Sequence, residues 1–147
     1  MAIANLNETL LTYKMRRNAL NLELTQLQSQ KSLATYSQAD ATSLHNLGER
    51  AARSYFKDLY KADQADGGAH LYDDYVDYTE IPEFEEQINK LTAEFQDQLD
   101  ELTAWETAID AQITTDSAEL EEVNAYMESI KTMLSSNIQE DFNYSLQ

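Results

Sequence analysis

Asp73-Asp74-Tyr75-Val76-Asp77 is the one short string in this chain whose residue types and spacing suit a reaction. Aspartates spaced in this way bring several carboxylate oxygens together, as a hard cation such as magnesium requires when it is held against a diphosphate. That chemistry also needs a large helix-lined cavity, a second acidic motif and basic residues for the diphosphate. A short hairpin supplies none of them, so no catalytic residues and no cofactor are expected and the chain reads as non-enzymatic. A calcium loop built on Asp63, Asp66, Gly67 and Asp73 fails on position. With Gly67 sixth in the loop, Ala62 falls first and Gln64 third, where carboxylates belong. A looser divalent site among Asp66, Asp73, Asp74 and Asp77 stays open beside the plainer reading, a solvated acidic tip.

Other reactive patterns are missing from the sequence. His45 and His70 stand twenty-five residues apart, outside any metal-ligand spacing. There is no cysteine, hence no disulfide, thiolate site or thiol nucleophile. No serine occupies a nucleophile elbow, and no glycine-rich phosphate loop occurs. Aromatic residues do cluster. Tyr72, Tyr75 and Tyr78 recur at every third position, and a closed hairpin would gather them with Tyr55, Phe56, Tyr60 and Phe84. They form either a small core that ties the tip down or a contact surface, since tyrosine supplies large amphipathic area at low entropic cost.

The elements that must position these residues are helices. From Ile81 to Ile138 there is no glycine, and the only proline is Pro82. Apolar residues recur at Phe84, Ile88, Leu91, Phe95, Leu99, Leu102, Ile109, Ile113, Leu120, Val123, Met127, Ile130, Leu134 and Ile138, in steps built from threes and fours. A helix of that span is ~87 Å long at ~1.5 Å per residue and needs a partner of similar length. The N-terminal part supplies one. Leu6, Leu10, Tyr13, Arg17, Leu20, Leu24, Leu27, Lys31 and Ala34 alternate steps of four and three, a coiled-coil seam. Arg17 and Lys31 are expected to lay their stems on the seam and reach acidic partners. Leu11, Met15 and Leu22 make a second stripe, the first sign of a further neighbour.

Large aliphatics vanish between Thr35 and Thr42, and the period is expected to resume at Leu44, Leu47, Ala51, Tyr55 and Leu59. Asp63 to Asp66 and Gly67-Gly68 are a stop signal. Thr79 or Glu80 before Ile81-Pro82 reads as a helix start, with Glu83, Glu85 and Glu86 favourable in the first turn. The expected fold is therefore all-α: one domain over residues 1–147, a long antiparallel coiled-coil-like hairpin. One helix runs over about 5–62, an acidic tyrosine-rich tip over about 63–80, a second helix over about 81–140, and the chain ends lie together. Leu20 and Leu24 should sit near Leu120 and Val123. Leu20, Leu24, Leu27, Ile109, Ile113, Leu120, Val123 and Met127 should be buried, as should Trp105. Phe142 extends the apolar stripe, and the residues around it to Gln147 are expected to fray.

The net charge is −17 and is unevenly spread. Residues 1–62 carry eight basic and five acidic side chains; residues 63–147 carry two basic and twenty-two acidic ones. The halves attract each other, and the acidic excess repels phosphate backbones and anionic lipid, so nucleic acid is not an expected partner. No stretch approaches the roughly 18 apolar residues of a membrane span, and insertion is not expected. The start of the sequence has no basic segment leading into an apolar one. The expected location is the cytoplasm, or the cell surface by a route that cuts no signal.

Asn5, Leu6, Leu10, Asn18, Leu20, Leu27, Ser29, Leu33, Asp40-Ala41 and Arg50, with Leu134-Ser135-Ser136-Asn137-Ile138 near the end, resemble in layout the terminal helices of flagellins. The pattern is similar as well to the helical-hairpin filament subunits of type III secretion. It departs from both in its acidic C-terminal helix and in Arg17 and Lys31 within the seam. The resemblance implies a subunit that polymerises through both chain ends. Two functions follow as expectations. One is a structural subunit assembling into a homo-oligomer or extracellular filament, with Leu6, Leu10, Leu20, Leu24, Leu27, Ile109, Ile113, Leu120, Val123, Met127 and Leu134 as packing residues. The other is a soluble acidic coiled-coil module (an adaptor, export chaperone or phage-type scaffold) that holds a basic protein through its acidic helix or through Tyr72, Tyr75 and Tyr78.

Overall fold

The structure, a computed structural model, describes residues 2–145. It is an all-α helical hairpin. Helix α1 spans Ile3–Gln64 and helix α2 spans Pro82–Ser145, joined by a linker that holds one 3-10 turn, Tyr78–Glu80. No strand occurs among the described residues. Both helices run slightly longer than the sequence suggests, and α2 passes through Phe142 to Ser145; Leu146 and Gln147, where fraying was also expected, lie outside the described residues.

The chain packs as two compact units, residues 1–32 with 107–147 and residues 33–106. In the first, Leu6, Leu10, Leu20, Val123, Met127 and Ile130 form a buried cluster, with Tyr13, Leu120 and Leu134 against it. Leu20 thus shares a core with Leu120 and Val123. Leu27 and Ile109 are buried too, whereas Leu24, Ile113 and Leu120 are only half-buried. In an isolated two-helix pair, positions at the edge of the seam keep one side open to water. Ala2 and Ile3 face Asn137, Glu140 and Asp141 across a shallow cleft, so the described ends lie side by side. Ile138 and Phe142 are exposed, because the seam passes instead through Leu134 and the half-buried Asn137.

Ion pairs flank this seam. Lys31 reaches Asp110 at 2.7 Å, and Arg16 grips Glu119 with two hydrogen bonds of 2.7 Å. That hydrogen-bonded pairing raises the Arg16 guanidinium and lowers the Glu119 carboxyl. Arg17, expected to find an acidic partner, hydrogen-bonds its neighbour Asn18 and, among the described residues, pairs with no carboxylate. Asp116, which the sequence reading passed over, stands in the seam three residues from Ile113 and is 2% exposed. Gln112 donates to its Oδ1 at 2.8 Å; its Oδ2 has no hydrogen-bond partner among the described residues.

In the second unit the face of α1 differs from expectation. The buried residues are Ala34, Ala41, Ala52 and Phe56, with Gln38, His45 and Gly48 half-buried between them. Leu44, Leu47 and Tyr55 point to solvent. The cause is geometric. The four-three alternation runs on from Ala34 through 38, 41, 45, 48 and 52, and a helix with no break cannot turn its face to follow the larger side chains. Small residues on the seam let α2 come close. A Cβ at Gly48 would meet Leu91 Cδ2 at 3.3 Å. The half-buried His45 stacks its ring on Phe95 with centroids 4.5 Å apart. Trp105, expected inside, is half-exposed, since Leu102 and Glu106 hold the adjoining seam positions.

Candidate functional site

The linker is held by one carboxylate. Asp63, 6% exposed in the last turn of α1, accepts the backbone N–H groups of Leu71 at 2.8 Å and Tyr72 at 3.0 Å. The Gln64 amide donates to it at 2.8 Å, and its own carbonyl accepts the His70 N–H at 3.2 Å. Burial alone would raise this carboxyl, but the two backbone donors, Gln64 and the nearby His70 outweigh it, and the group is held below its ordinary value. The turn it stabilises needs two glycines. Gly67 has φ 81°, and a Cβ on Gly68 would lie 2.4 Å from the carbonyl oxygens of Ala62 and Asp63. His70 also adopts positive φ, 54°.

The remaining acidic candidates are dispersed. Asp73 accepts from Gln64 Nε2 at 2.8 Å and lies 3.2 Å from His70 Nδ1. Asp77 caps the 3-10 turn, accepting the Thr79 N–H at 2.8 Å and the Thr79 hydroxyl. These two contacts hold the Asp77 carboxyl low. Asp66 and Asp74 are exposed. Among the described residues no group of three or more histidine or acidic side chains is placed to hold a metal ion.

The aromatic residues gather as the sequence suggests, around two rings that are buried, Phe56 and Phe84. Phe56, Ile81 and Phe84 are buried, with Leu59, Tyr60, Tyr72, Tyr75, Tyr78 and Ile88 against them. Phe84 meets Phe56 and Tyr78 edge-on at 5.6 and 5.2 Å, and Arg53 lies 5.5 Å over its ring. The Tyr60 hydroxyl donates to the carbonyl of Tyr75 at 2.9 Å. Tyr72, Tyr75 and Tyr78 keep part of their surface in water. Tyr55 touches Phe56 but remains outside. Beside the cluster, Tyr60, Tyr78 and the stems of Lys57 and Lys61 line an open cleft of about 600 Å³.

The larger unassigned feature is on α1. With the seam satisfied, Leu11, Met15 and Leu22 remain exposed in the first unit, and Leu33, Tyr36, Leu44, Leu47 and Tyr55, between 57% and 71% exposed, in the second. Large apolar side chains that recur along one helix face and stay in water mark an interaction site more often than scattered single exposures do. The Leu11–Met15–Leu22 stripe is legible from its spacing; in the second group the spacing of Leu44, Leu47 and Tyr55 reads as an inward face, which hides it. Among the described residues no helix is long and apolar enough to cross a membrane.

No family model matches this sequence, and neither the curated proteins nor the solved structures contain a match.

Proposed function

We propose that this protein is a non-enzymatic structural subunit, whose long helices and chain ends assemble copies of it into a homo-oligomer of the kind that builds an extracellular filament. The observation that supports this reading is the second apolar face of α1, left in water once the hairpin has closed. A solitary two-helix protein has no use for eight large apolar side chains on the outside of one helix. Sedimentation velocity over a wide concentration range tests the reading, together with removal of residues 1–10 and 140–147. Assembly that grows with concentration is the expected result, with growth into larger species lost on truncation; a monomer at every concentration overturns it.

The acidic surface favours a second reading, a binding module for a basic protein. From residue 63 onward the acidic side chains outnumber the basic by twenty, and most are exposed. Under that reading truncation leaves the protein's behaviour intact, and a polycationic protein binds with an affinity that falls steeply with salt.

A further inference from the structure

The exposed residues of α1 in the second unit have a spacing of their own. Leu33 and Tyr36 are followed, eleven residues later, by Leu44 and Leu47, and Tyr55 stands eleven beyond Leu44. In the sequence Leu22 and Leu11 continue the same interval backwards, and both are exposed in the first unit. Eleven residues are three turns at about 3.67 per turn, close to a straight helix, whereas the seam facing α2 keeps the 3.5 period of a left-handed supercoil. One helix thus carries two periodicities on two faces. A period of its own, maintained over five large side chains, is the mark of a second packing partner.

We infer that this partner is α1 of a second copy, paired antiparallel through Leu33–Tyr55; the inference rests on the assembly reading above. Charge selects the copy and the helix. In this unit α1 is neutral, with Asp40, Glu49, Asp58 and Asp63 against Arg50, Arg53, Lys57 and Lys61. Residues 82–106 of α2 hold eight acidic side chains and one lysine. Two copies meeting through α2 would set like charges face to face; through α1 the charges at the contact balance. Direction follows from the pattern. An antiparallel pair with its two-fold axis between His45 and Asn46 sets Leu44 against Leu47 of the second copy and Tyr36 against the second copy's Tyr55. The same register places Asp40 opposite Ala51 of the second copy and beside its Arg50. Asp40 and Arg50 are both exposed, and the ion pair of this stretch of α1 joins Glu49 to Arg53 instead. A parallel pair would put Tyr36 on Tyr36 and Arg50 on Arg50, with like charges facing.

Because the chain has no cysteine, introduced thiols report contacts between copies without background. Tyr36→Cys and Tyr55→Cys chains are refolded separately and together, checked for native helicity, and oxidised. A disulfide-linked dimer is expected from the mixture alone. In the proposed register two copies of either thiol lie nineteen residues apart along the pair, roughly 28 Å, beyond disulfide reach. Dimer formed by either variant alone overturns the antiparallel register. Assembly seen by sedimentation with no cross-link in the mixture overturns this pairing and leaves the assembly reading standing. A monomer at all concentrations removes both. Charge reversal gives an independent measure: Asp40→Arg and Arg50→Asp should each weaken association severalfold, and the double exchange should restore it. Equal weakening without restoration contradicts the register.

Discussion

Single residues decide how the linker is fixed. Asp63 ties three donors to the end of α1, and its carboxyl titrates below an ordinary aspartate. A group depressed on folding stabilises the native state above its unfolded value, about 3.9, and that contribution is lost as pH falls through the lower folded value. Protection of the Leu71 and Tyr72 amides, measured against their intrinsic exchange rates at each pH, should therefore fall on acidification below about pH 4. Asp63→Asn should show fast exchange already at neutral pH, and the acid-dependent step should flatten; unchanged protection in the variant would remove Asp63 from this role. Gly68→Ala should lower the melting temperature, since its Cβ meets two backbone oxygens that cannot swing away. Asp116 works in the opposite direction. A buried acceptor left unpaired costs about 1–3 kcal/mol, so Asp116→Leu should raise the unfolding free energy by an amount of that order. A polar group at such a position can fix register at the expense of stability, and denaturant melts compared with cross-linking patterns separate the two effects. Loss of stability in Asp116→Leu would show that the carboxylate has a partner of its own.

Among the elements, α1 is the informative one, because it bears two faces with different tasks. Leu20 is fully buried between α1 and α2, and truncation to alanine should cost about 2–5 kcal/mol in chemical denaturation. Leu44, the larger-looking core candidate by spacing, is exposed; in dilute solution Leu44→Ala should change stability by no more than about 0.5 kcal/mol. Equal losses at the two positions would mean that the seam has been misassigned. Here lies the limit of what the sequence shows. The helices, their ends and the first-unit seam are legible because large apolar residues mark the heptads there. In residues 33–64 the seam is written in Ala34, Ala41, Gly48 and Ala52, and hydrophobicity draws the eye to the wrong face. Continuity of the 3.5 period, carried forward from Leu6 to Leu27, was the signal that locates it. Asp63, Gly67 and Gly68 are legible as a stop, but the reach of the carboxylate to Leu71 and Tyr72 is a matter of loop path and has no local signature. The same holds for Asp77, whose DDxxD setting suggests a cation while its side chain caps a turn.

At the scale of the whole molecule, net charge opposes any assembly of identical copies. A chain of charge −17 repels itself, and the repulsion reaches about 10 Å at 0.1 M ionic strength and about 3 Å at 1 M. Apolar association is not weakened by the same screening. Salt therefore separates the two functional readings by sign: it should strengthen self-association through the α1 stripe and weaken capture of a basic partner through α2. The most direct test of the account is the sedimentation coefficient measured across concentration at low and high salt. A value that rises with concentration and rises further in salt is expected, with the increase lost in Leu44→Glu/Leu47→Glu. A single species of monomer mass under every condition would contradict it.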